Sequence, residues 1–519
     1  VADWQGQQGT NWIDETAEEG APMHHHTLHL AGGNDVSTFL LSGNFFTQDG
    51  IFGGDKTNFK RTTVRFNSNH KVSKYLEVGE NFSLSVNKRK AFTEDDSFNG
   101  IMNHAMLMDP LTPVFYPNGT VLPQHVQDAV TGGKAVPTNA NGEYYGLSNY
   151  IVGEIANPIG QIALDHGLTQ ETKIIGNVYA NIKPFEGFVF TTRYGIEQTY
   201  TNYNDWTQKY WWNTNKENTT NNKTYNQNIF KTWLFENFAT YSKTINKHEF
   251  SVMAGMSSQD SEKSYLDSRT AGMIKEGDIW ATVGEIPVDG TIAGNRTPTS
   301  MLSYFGRITY SFDNKYLFQA SLRNDNSSLF APDKRAGYFP AVSAGWVISN
   351  ESFWKLEAVN YVKLRASWGE NGSTSNISPG QWQALITKDG LKYPDALGNY
   401  QTVGELKILP NEDITWETTE QTDFGLDVKA FNNRLSLGLD YYKKITRDLL
   451  TPSSPPLSTG YAAPYANAGD VTNKGFEIEA GWRESQHQLK YGINLNLTTI
   501  DNEVTYLNPL LTRVDGASI

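Results

Sequence analysis

The chain of 519 residues has no cysteine, which excludes disulfides and any cysteine-based metal site. Positive charge is scarce: 43 Lys and Arg stand against 56 Asp and Glu. The resulting net charge of −13 argues against nucleic acid as the main partner. No apolar run reaches about 18 residues, so a transmembrane helix is not expected. The opening residues, Val1 to Trp4, lack the basic and apolar regions of a signal peptide.

Alternation of apolar and polar residues is the dominant pattern, and it is clearest from Thr422 to Tyr441. Side chains of a strand point alternately to opposite faces, so this stretch predicts two strands with one apolar face each. Asn432 and Asn433 between them tolerate the positive φ of a tight hairpin turn. Each strand has about 9–11 residues, enough to cross a bilayer when tilted. The apolar positions are Phe424, Leu426, Val428, Leu435, Leu437, Leu439 and Tyr441.

The same pattern recurs along the chain and predicts about 16 strands, in which short turns alternate with long polar loops. A soluble sandwich also alternates, but it seldom shows this difference between turns and loops. The aromatic content of 13% suits the interfacial girdles of a barrel. The prediction is therefore an all-β, transmembrane antiparallel β-barrel. The expected loops cover residues of about 91–170, 201–229, 259–300, 370–419 and 446–472.

Four motifs carry a family resemblance. The segment LPNEDITWETTEQT at 409–422 is similar to the "NPxLxWETT.Q.N.G.D" pattern of the SusC/RagA group of TonB-dependent outer-membrane transporters. GYFPAVSAGW at 337–346 resembles the group's "GyFPs.S.gW", NKGFE at 473–477 its "NKGfE", and NWIDE at 11–15 its "DW.DE". The matching residues include Asn11, Trp12, Gly337, Tyr338, Phe339, Pro340, Trp346, Trp416, Glu417, Asn473, Lys474, Gly475 and Phe476.

The resemblance implies a domain organisation. Barrels of this group have 22 strands, so about 16 of the expected 22 are present, and the chain is expected to be truncated at both ends. The plug domain of the group is not visible in this sequence. Residues 1–26 are expected to form the segment between plug and barrel, and residues 27–519 a partial barrel.

The resemblance also implies a function. Such proteins import oligosaccharides or peptides across the outer membrane of Gram-negative bacteria. They work with a SusD-like surface lipoprotein, and TonB acts through the N-terminal region that is missing here. Contacts with outer-membrane lipid follow from the barrel. Neither a cofactor nor an enzymatic activity is expected.

Three other interpretations remain open at this point. One is a siderophore or cobalamin receptor of the wider TonB-dependent group. Another is a barrel that serves as a component of a surface or secretion complex. The third is a soluble sugar-processing β enzyme.

Trp206, Tyr210, Trp211 and Trp212 are the strongest candidates for substrate contact, because exposed aromatic faces stack on sugar rings. They could instead pack into the outer girdle or against neighbouring loops.

Two further patterns gave weaker hypotheses. His24, His25 and His26 invite a metal-site interpretation, but adjacent strand residues face opposite ways, so no metal site is predicted. Acidic pairs such as Asp95–Asp96 and Glu412–Asp413 could serve as catalytic or calcium-binding groups. Because such pairs arise by chance among 56 acids, no catalytic residue is assigned.

Overall fold

The computed structural model describes residues 9–92, 100–151, 153–272, 289–387, 392–406, 408–452, 458, 460–485 and 487–508. These residues form one large antiparallel sheet of 17 strands. No helix among them is long and apolar enough to span a membrane. The strands are β1 (Met23–Gly33), β2 (Ser37–Asp49), β3 (Asn58–Ser73), β4 (Leu76–Lys90), β5 (Leu168–Ile182), β6 (Phe188–Thr207), β7 (Asn222–Ile245), β8 (His248–Ala271), β9 (Asp289–Phe312), β10 (Tyr316–Ser327), β11 (Ala336–Val347), β12 (Val359–Ser373), β13 (Glu417–Ala430), β14 (Leu435–Arg447), β15 (Gly469–Glu484), β16 (Tyr491–Thr498) and β17 (Asp501–Leu507).

Each strand pairs with its neighbour in the sequence as far as β15, which then pairs with two strands. β16 lies along Glu477–Glu484, and β17 lies along Gly469–Lys474. The described strands therefore fill 16 positions in the sheet. This confirms the prediction of an antiparallel all-β fold with about 16 strands.

The two faces of the sheet differ in chemistry. Where β10 to β15 pair, one face carries a row made of Phe318, Ala344, Ala366, Phe424, Tyr441 and Phe476. The adjacent row on the opposite face is Gln319, Ser343, Ser367, Asp423 and Tyr442. We call these the outer face and the inner face.

Large apolar side chains stay exposed on the outer face around the whole sheet. Exposure of so many large apolar side chains to water would be unfavourable, whereas contact with the hydrocarbon of a membrane would be favourable. Examples from successive strands are Leu30, Leu41, Phe66, Phe82, Val178, Tyr194, Phe235, Tyr304 and Leu322.

Short turns lie at one end of the strands, and long connections lie at the other. Asn246, Asn432 and Asn433 occupy such turns with φ of 54°, 58° and 63°, which asparagine adopts more readily than most residues. The predicted hairpin is confirmed, and its strands β13 and β14 pair from Thr418 to Ala430. Its turn is longer than the predicted Asn432–Asn433 step, because it comprises the four residues 431–434.

Aromatic side chains form a belt at the turn end. Tyr316 and Trp346, for example, stack with ring centroids 6.4 Å apart. Such belts mark the boundary between hydrocarbon and water in outer-membrane barrels. Its members include Phe185, Phe188, Tyr241, Phe250, Tyr310, Phe312, Tyr316, Trp346, Phe431 and Trp482.

The predicted loop boundaries at 201–229 and 259–300 were too wide. β6 continues to Thr207 and β7 begins at Asn222, while β8 continues to Ala271 and β9 begins at Asp289. These strand ends are polar on both faces, so they lack the alternation used to recognise strands. Residues 273–288 lie outside the described residues, as does the pair Asp95–Asp96. At the first predicted domain boundary, β1 begins at Met23 rather than at residue 27.

Candidate functional site

The long connections at the loop end fold into a compact unit, which we call the loop cap. It comprises residues 9–16, 100–167 and 208–221 so far as they are described. Trp12 is buried and its Nε1 donates to the carbonyl oxygen of Asp109 at 2.7 Å, so the segment before β1 belongs to the cap. Its helices are α1 (Trp12–Thr16), α2 (Ile101–Leu107), α3 (Gln124–Thr131) and α4 (Pro158–Leu164). It also contains two short antiparallel strand pairs. One joins Phe115–Tyr116 to Tyr144–Tyr145, and the other joins Tyr210–Asn213 to Lys216–Asn218.

Trp212 lies at the centre of the cap core. Its ring packs edge-on against Tyr145 at 6.2 Å between centroids. Gly160 of α4 lies beneath the ring, where a Cβ would come 2.2 Å from Trp212 Cη2. Glycine at this position therefore allows the helix to approach the indole. The buried core residues are Val126, Ala129, Val136, Tyr145, Leu147, Ala156 and Trp212.

The four aromatic candidates for substrate contact have different surroundings. Trp212 is only 4% exposed, so its ring is not available to a ligand in this structure. Tyr210 and Trp211 pack partly buried against the same core, and Trp206 stacks on His166 at 3.7 Å. The polar composition of the loop concealed a folded core. Substrate contact by Trp206, Tyr210 and Trp211 stays a prediction.

Asp165 and Asp205 form an acidic pair where the cap meets β6. Asp165 follows α4, and Asp205 lies near the loop end of a strand of 20 residues, beyond the length needed to cross a bilayer. Burial raises the pKa of Asp165. Burial, followed by the charge of Asp165, raises the pKa of Asp205 to about 6, although Lys223 opposes the shift.

The cap should loosen as pH rises through this pKa. An unfolded Asp has a pKa of about 4, so the folded state holds the proton more tightly between about pH 4 and 6. The contribution of Asp205 to the stability of the cap is greatest below about pH 4, falls as pH rises to about 6, and then levels off. Hydrogen exchange around residues 165–168 and 203–206 at pH 4.5 and 7.5 tests this. Asp205→Asn should remove most of the difference; an equal difference in the variant would contradict the assignment.

A second cluster, the rim cluster, joins three connections at the loop end. Trp416 is 5% exposed, and its Nε1 donates to the carbonyl oxygen of Arg335 at 2.9 Å. Its ring lies 5.1 Å from Phe330 and 5.4 Å from Phe339, measured between centroids. The buried members are Leu329, Phe330, Phe339, Ile377, Ile414, Trp416 and Leu450.

Glu417 completes the rim cluster. It is 8% exposed, and its Oε2 accepts from the Leu450 backbone N–H and from Asn376 Nδ2, both at 3.3 Å. The motif at 409–422 therefore fastens loops to the sheet.

The remaining motif residues also have structural surroundings. A Cβ on Gly475 would lie 2.0 Å from the Thr499 carbonyl oxygen, and one on Gly337 would lie 2.5 Å from Phe339 Cζ. Lys474 pairs with Asp501 at 3.1 Å, and Asn473 accepts from Asn502. Tyr338 and Phe476 are exposed on the outer face, where they pair with Asn324 and Tyr441. Pro340 lies in β11. The side-chain amide of Asn11 donates a hydrogen bond to the carboxylate of Asp14.

An ion network on the inner face went unrecognised in the sequence. Arg365 of β12 reaches Asp427 of β13 at 3.2 Å and Asp440 of β14 at 2.6 Å. The guanidinium crosses over Gly425, where a Cβ would come 2.4 Å from Arg365 Cζ. One arginine thus links three strands. The available signal was Gly425, which lies between Asp423 and Asp427 just after the motif at 409–422.

Arg365→Met should destabilise the barrel by about 1–2 kcal/mol, because two carboxylates lose charge-assisted hydrogen bonds while partial exposure limits the loss. To measure this, samples are heated to a series of temperatures before electrophoresis, and the temperature at which the folded band disappears is compared between the variant and the wild type. Arg307→Met is the matched control, since Arg307 lies exposed on the same face and forms no ion pair within the described part of the chain. Equal melting of both variants would contradict the role of the network.

The inner face also lines a cavity of about 1080 Å³ near the turn end. Hydroxyl, amide and charged side chains line it, which suits polar solutes. They include Ser242, Ser251, Thr309, Gln319, Ser343 and Asp423.

The three consecutive histidines do not converge. His24 and His26 share the outer face with ring centroids 6.4 Å apart, whereas the His25 ring lies against Phe46. Within the described ranges, no three His, Asp or Glu side chains come together as metal ligands.

Comparison with known proteins agrees with this architecture. The family model "TonB dependent receptor-like, beta-barrel" matches residues 24–517. TonB-dependent receptor P3 of Formosa agariphila is 27% identical over 93% of this chain and 46% of its own length. The TonB-dependent receptor SusC of Bacteroides thetaiotaomicron is 24% identical over 97% of this chain and 49% of its own length.

A chain of the RagAB peptide transporter superposes with a TM-score of 0.79 at 22% identity, over 97% of this chain and 53% of that one. The chain thus spans about half the length of the proteins that it matches. It belongs to the TonB-dependent receptor-like β-barrel family, within its SusC/RagA group.

Proposed function

We propose that the whole protein imports oligosaccharides or peptides across the outer membrane, with TonB as the energy-transducing partner and a SusD-like lipoprotein at the cell surface. The main support for this proposal is the contrast between an apolar outer face and a polar inner face, in a chain similar to SusC and to the RagAB peptide transporter. A wide barrel of this kind encloses a lumen that can pass polar solutes.

The charges of the inner face support a substrate that is polar rather than strongly ionic. Arg365 is neutralised by two aspartates, and Arg193 pairs with Glu236 at 3.4 Å. Arg323 contacts Asp325 at 2.7 Å on the same face. Although Arg307 forms no ion pair within the described part of the chain, these pairs leave hydroxyl and amide groups as the commoner contacts for a passing solute, which fits sugars and peptide backbones.

The alternatives have less support. The motifs at 409–422 and 337–346 resemble SusC/RagA patterns, which disfavours a siderophore or cobalamin receptor. A soluble enzyme would bury the apolar side chains that cover the outer face here. A role in a surface or secretion complex stays open to experiment, and we assign no catalytic residue.

The test is to purify the full-length protein in detergent from native outer membranes and to identify its companions by mass spectrometry. The proposal expects a SusD-like lipoprotein and a bound glycan or peptide. It also expects that deletion of the gene abolishes uptake of that compound. Recovery among secretion components with unchanged uptake would overturn it, as would recovery in the soluble fraction.

A further inference from the structure

A groove runs along the outer face where β11 and β12 pair. Ala344 and Ala366 stand directly opposite each other and form its floor. In the same row, Phe318 precedes them on β10 and Phe424 follows them on β13. These two phenylalanines are 47% and 56% exposed, so they rise as walls on either side of the methyl groups.

The groove has room for hydrocarbon chains. Neighbouring strands lie about 4.8 Å apart, so the two walls are about 14 Å apart at the backbone. The cavity over this part of the outer face measures about 810 Å³, and it extends past Phe424 to Tyr441, Phe476 and Ile478. Towards the turn end, Trp346 and Leu364 continue the lining.

The turn that joins the two floor strands, residues 348–358, is also unusual. Phe353 and Leu356 are 62% and 60% exposed, although they lie at the turn end beside the aromatic belt. Lys355 between them is exposed and forms no ion pair with the residues that the structure describes. The exposed Glu357 follows two residues later.

Glu351 fixes the polar boundary of the groove. Its Oε1 accepts from Tyr316 Oη at 2.6 Å and from Trp346 Nε1 at 3.1 Å, while Lys315 lies 3.2 Å from Oε2. Two aromatic rings therefore hold their polar tips at one level, as such side chains do at a membrane interface. On the strand side of that level the lining is apolar, and the exposed Lys355 and Glu357 lie in the turn that follows Glu351.

We propose that this groove binds one zwitterionic phospholipid of the leaflet on the turn side. Its acyl chains lie over Ala344 and Ala366, its phosphate faces Lys355, and its ammonium group faces Glu357. The outer face around the groove already meets hydrocarbon, so a lipid chain is the occupant that the surroundings supply. A flat contact with a second barrel would leave the alanine floor unfilled. The proposal stands whichever solute crosses the barrel.

The experiment is native mass spectrometry of the full-length transporter in mild detergent, with phosphatidylethanolamine or phosphatidylglycerol added back after delipidation. The wild type should hold one phosphatidylethanolamine and prefer it to phosphatidylglycerol. In the double variant Ala344→Phe and Ala366→Phe the affinity should fall about tenfold, which needs the loss of only about two buried methylene groups. Ala254→Phe is the control, because Ala254 lies exposed on the outer face of β8, paired with Ala239 and away from the groove.

Lys355→Glu tests the phosphate contact at a turn position that need not affect folding, and it should weaken retention of both lipids. Glu357→Gln removes the partner of the ammonium group, so it should abolish the preference for phosphatidylethanolamine. Heat-modifiable migration on gels shows that each variant is folded. Equal retention in all variants would overturn the proposal. So would a lipid-free wild-type dimer that the double variant separates, since the groove would then be a protein interface.

Discussion

Replacing Trp416 by alanine should cost the rim cluster about 3–5 kcal/mol, the range found for removing a large buried aromatic side chain. The variant loses ring contacts to Phe330 and Phe339 and leaves the Arg335 carbonyl without its indole donor. Because the cluster joins the connections at 328–335, 374–416 and 448–468, all three should become sensitive to protease at the cell surface. Mapping of cleavage sites on intact cells measures this.

Tyr393→Ala is the matched control, because Tyr393 lies in the connection 374–416 but is 60% exposed. It removes an aromatic ring without opening a cavity, so cleavage should stay at the wild-type level. If Trp416→Ala and Tyr393→Ala were cleaved equally, the indole would not be what fastens these loops. Loss of the folded barrel band in Trp416→Ala would show that the cluster supports the whole sheet and not only its rim.

Trp212→Ala should cost the loop cap a similar amount, about 3–5 kcal/mol, since the indole fills the space between α4 and the 144–145 strand. Exchange of backbone hydrogens in residues 124–164 should speed up greatly, while exchange in β13 and β14 should not change. Hydrogen exchange of the detergent-solubilised protein separates these regions. Tyr150→Ala is the control, because Tyr150 lies in the same cap with 56% of its surface exposed.

Gly160 supplies an independent check on the same contact. Gly160→Ala alone should be destabilising, because the added Cβ would come 2.2 Å from the Trp212 ring. In the Trp212→Ala background the indole is gone, and Tyr145, whose Cγ would lie 3.0 Å from the added Cβ, gains room to move away. The double variant should therefore be no less stable than Trp212→Ala. Such a departure from additivity is expected only for groups in direct contact. Additive losses would show that Gly160 matters for another reason.

The strands near the short turns could be predicted because the alternation of apolar residues and the residues of the turn indicate the same hairpin. At 422–441, alternation gives the faces and two asparagines give the turn, and both are read within a few residues. The family motifs were also visible in the sequence, but their role was not, because Trp416 bonds to Arg335, which lies 81 residues away along the chain.

The cap was not predictable, because its contacts join residues far apart in sequence. Trp12 bonds to Asp109, and Trp212 covers Gly160. Local polarity made residues 201–229 resemble a loop, although β6 and β7 pair there through Thr207 and Asn222. A tryptophan in such a stretch can be an exposed ligand contact or a core residue, and only the packing partner decides between them.

The strands also differ greatly in length, which gives the mouth of the barrel one stiff side and one compliant side. β7 and β8 have 24 residues each, whereas β14 has 13. At about 3.3 Å per residue, the long pair extends about 36 Å further along the strand direction. Near the loop end, β7 and β8 are held together by backbone hydrogen bonds, whereas beside β14 the wall is built from connections fastened by side chains at the rim cluster. Under mechanical load, we therefore expect the wall beside β14 to deform first. A protein bound to the mouth of the barrel would then tilt about the side formed by β7 and β8.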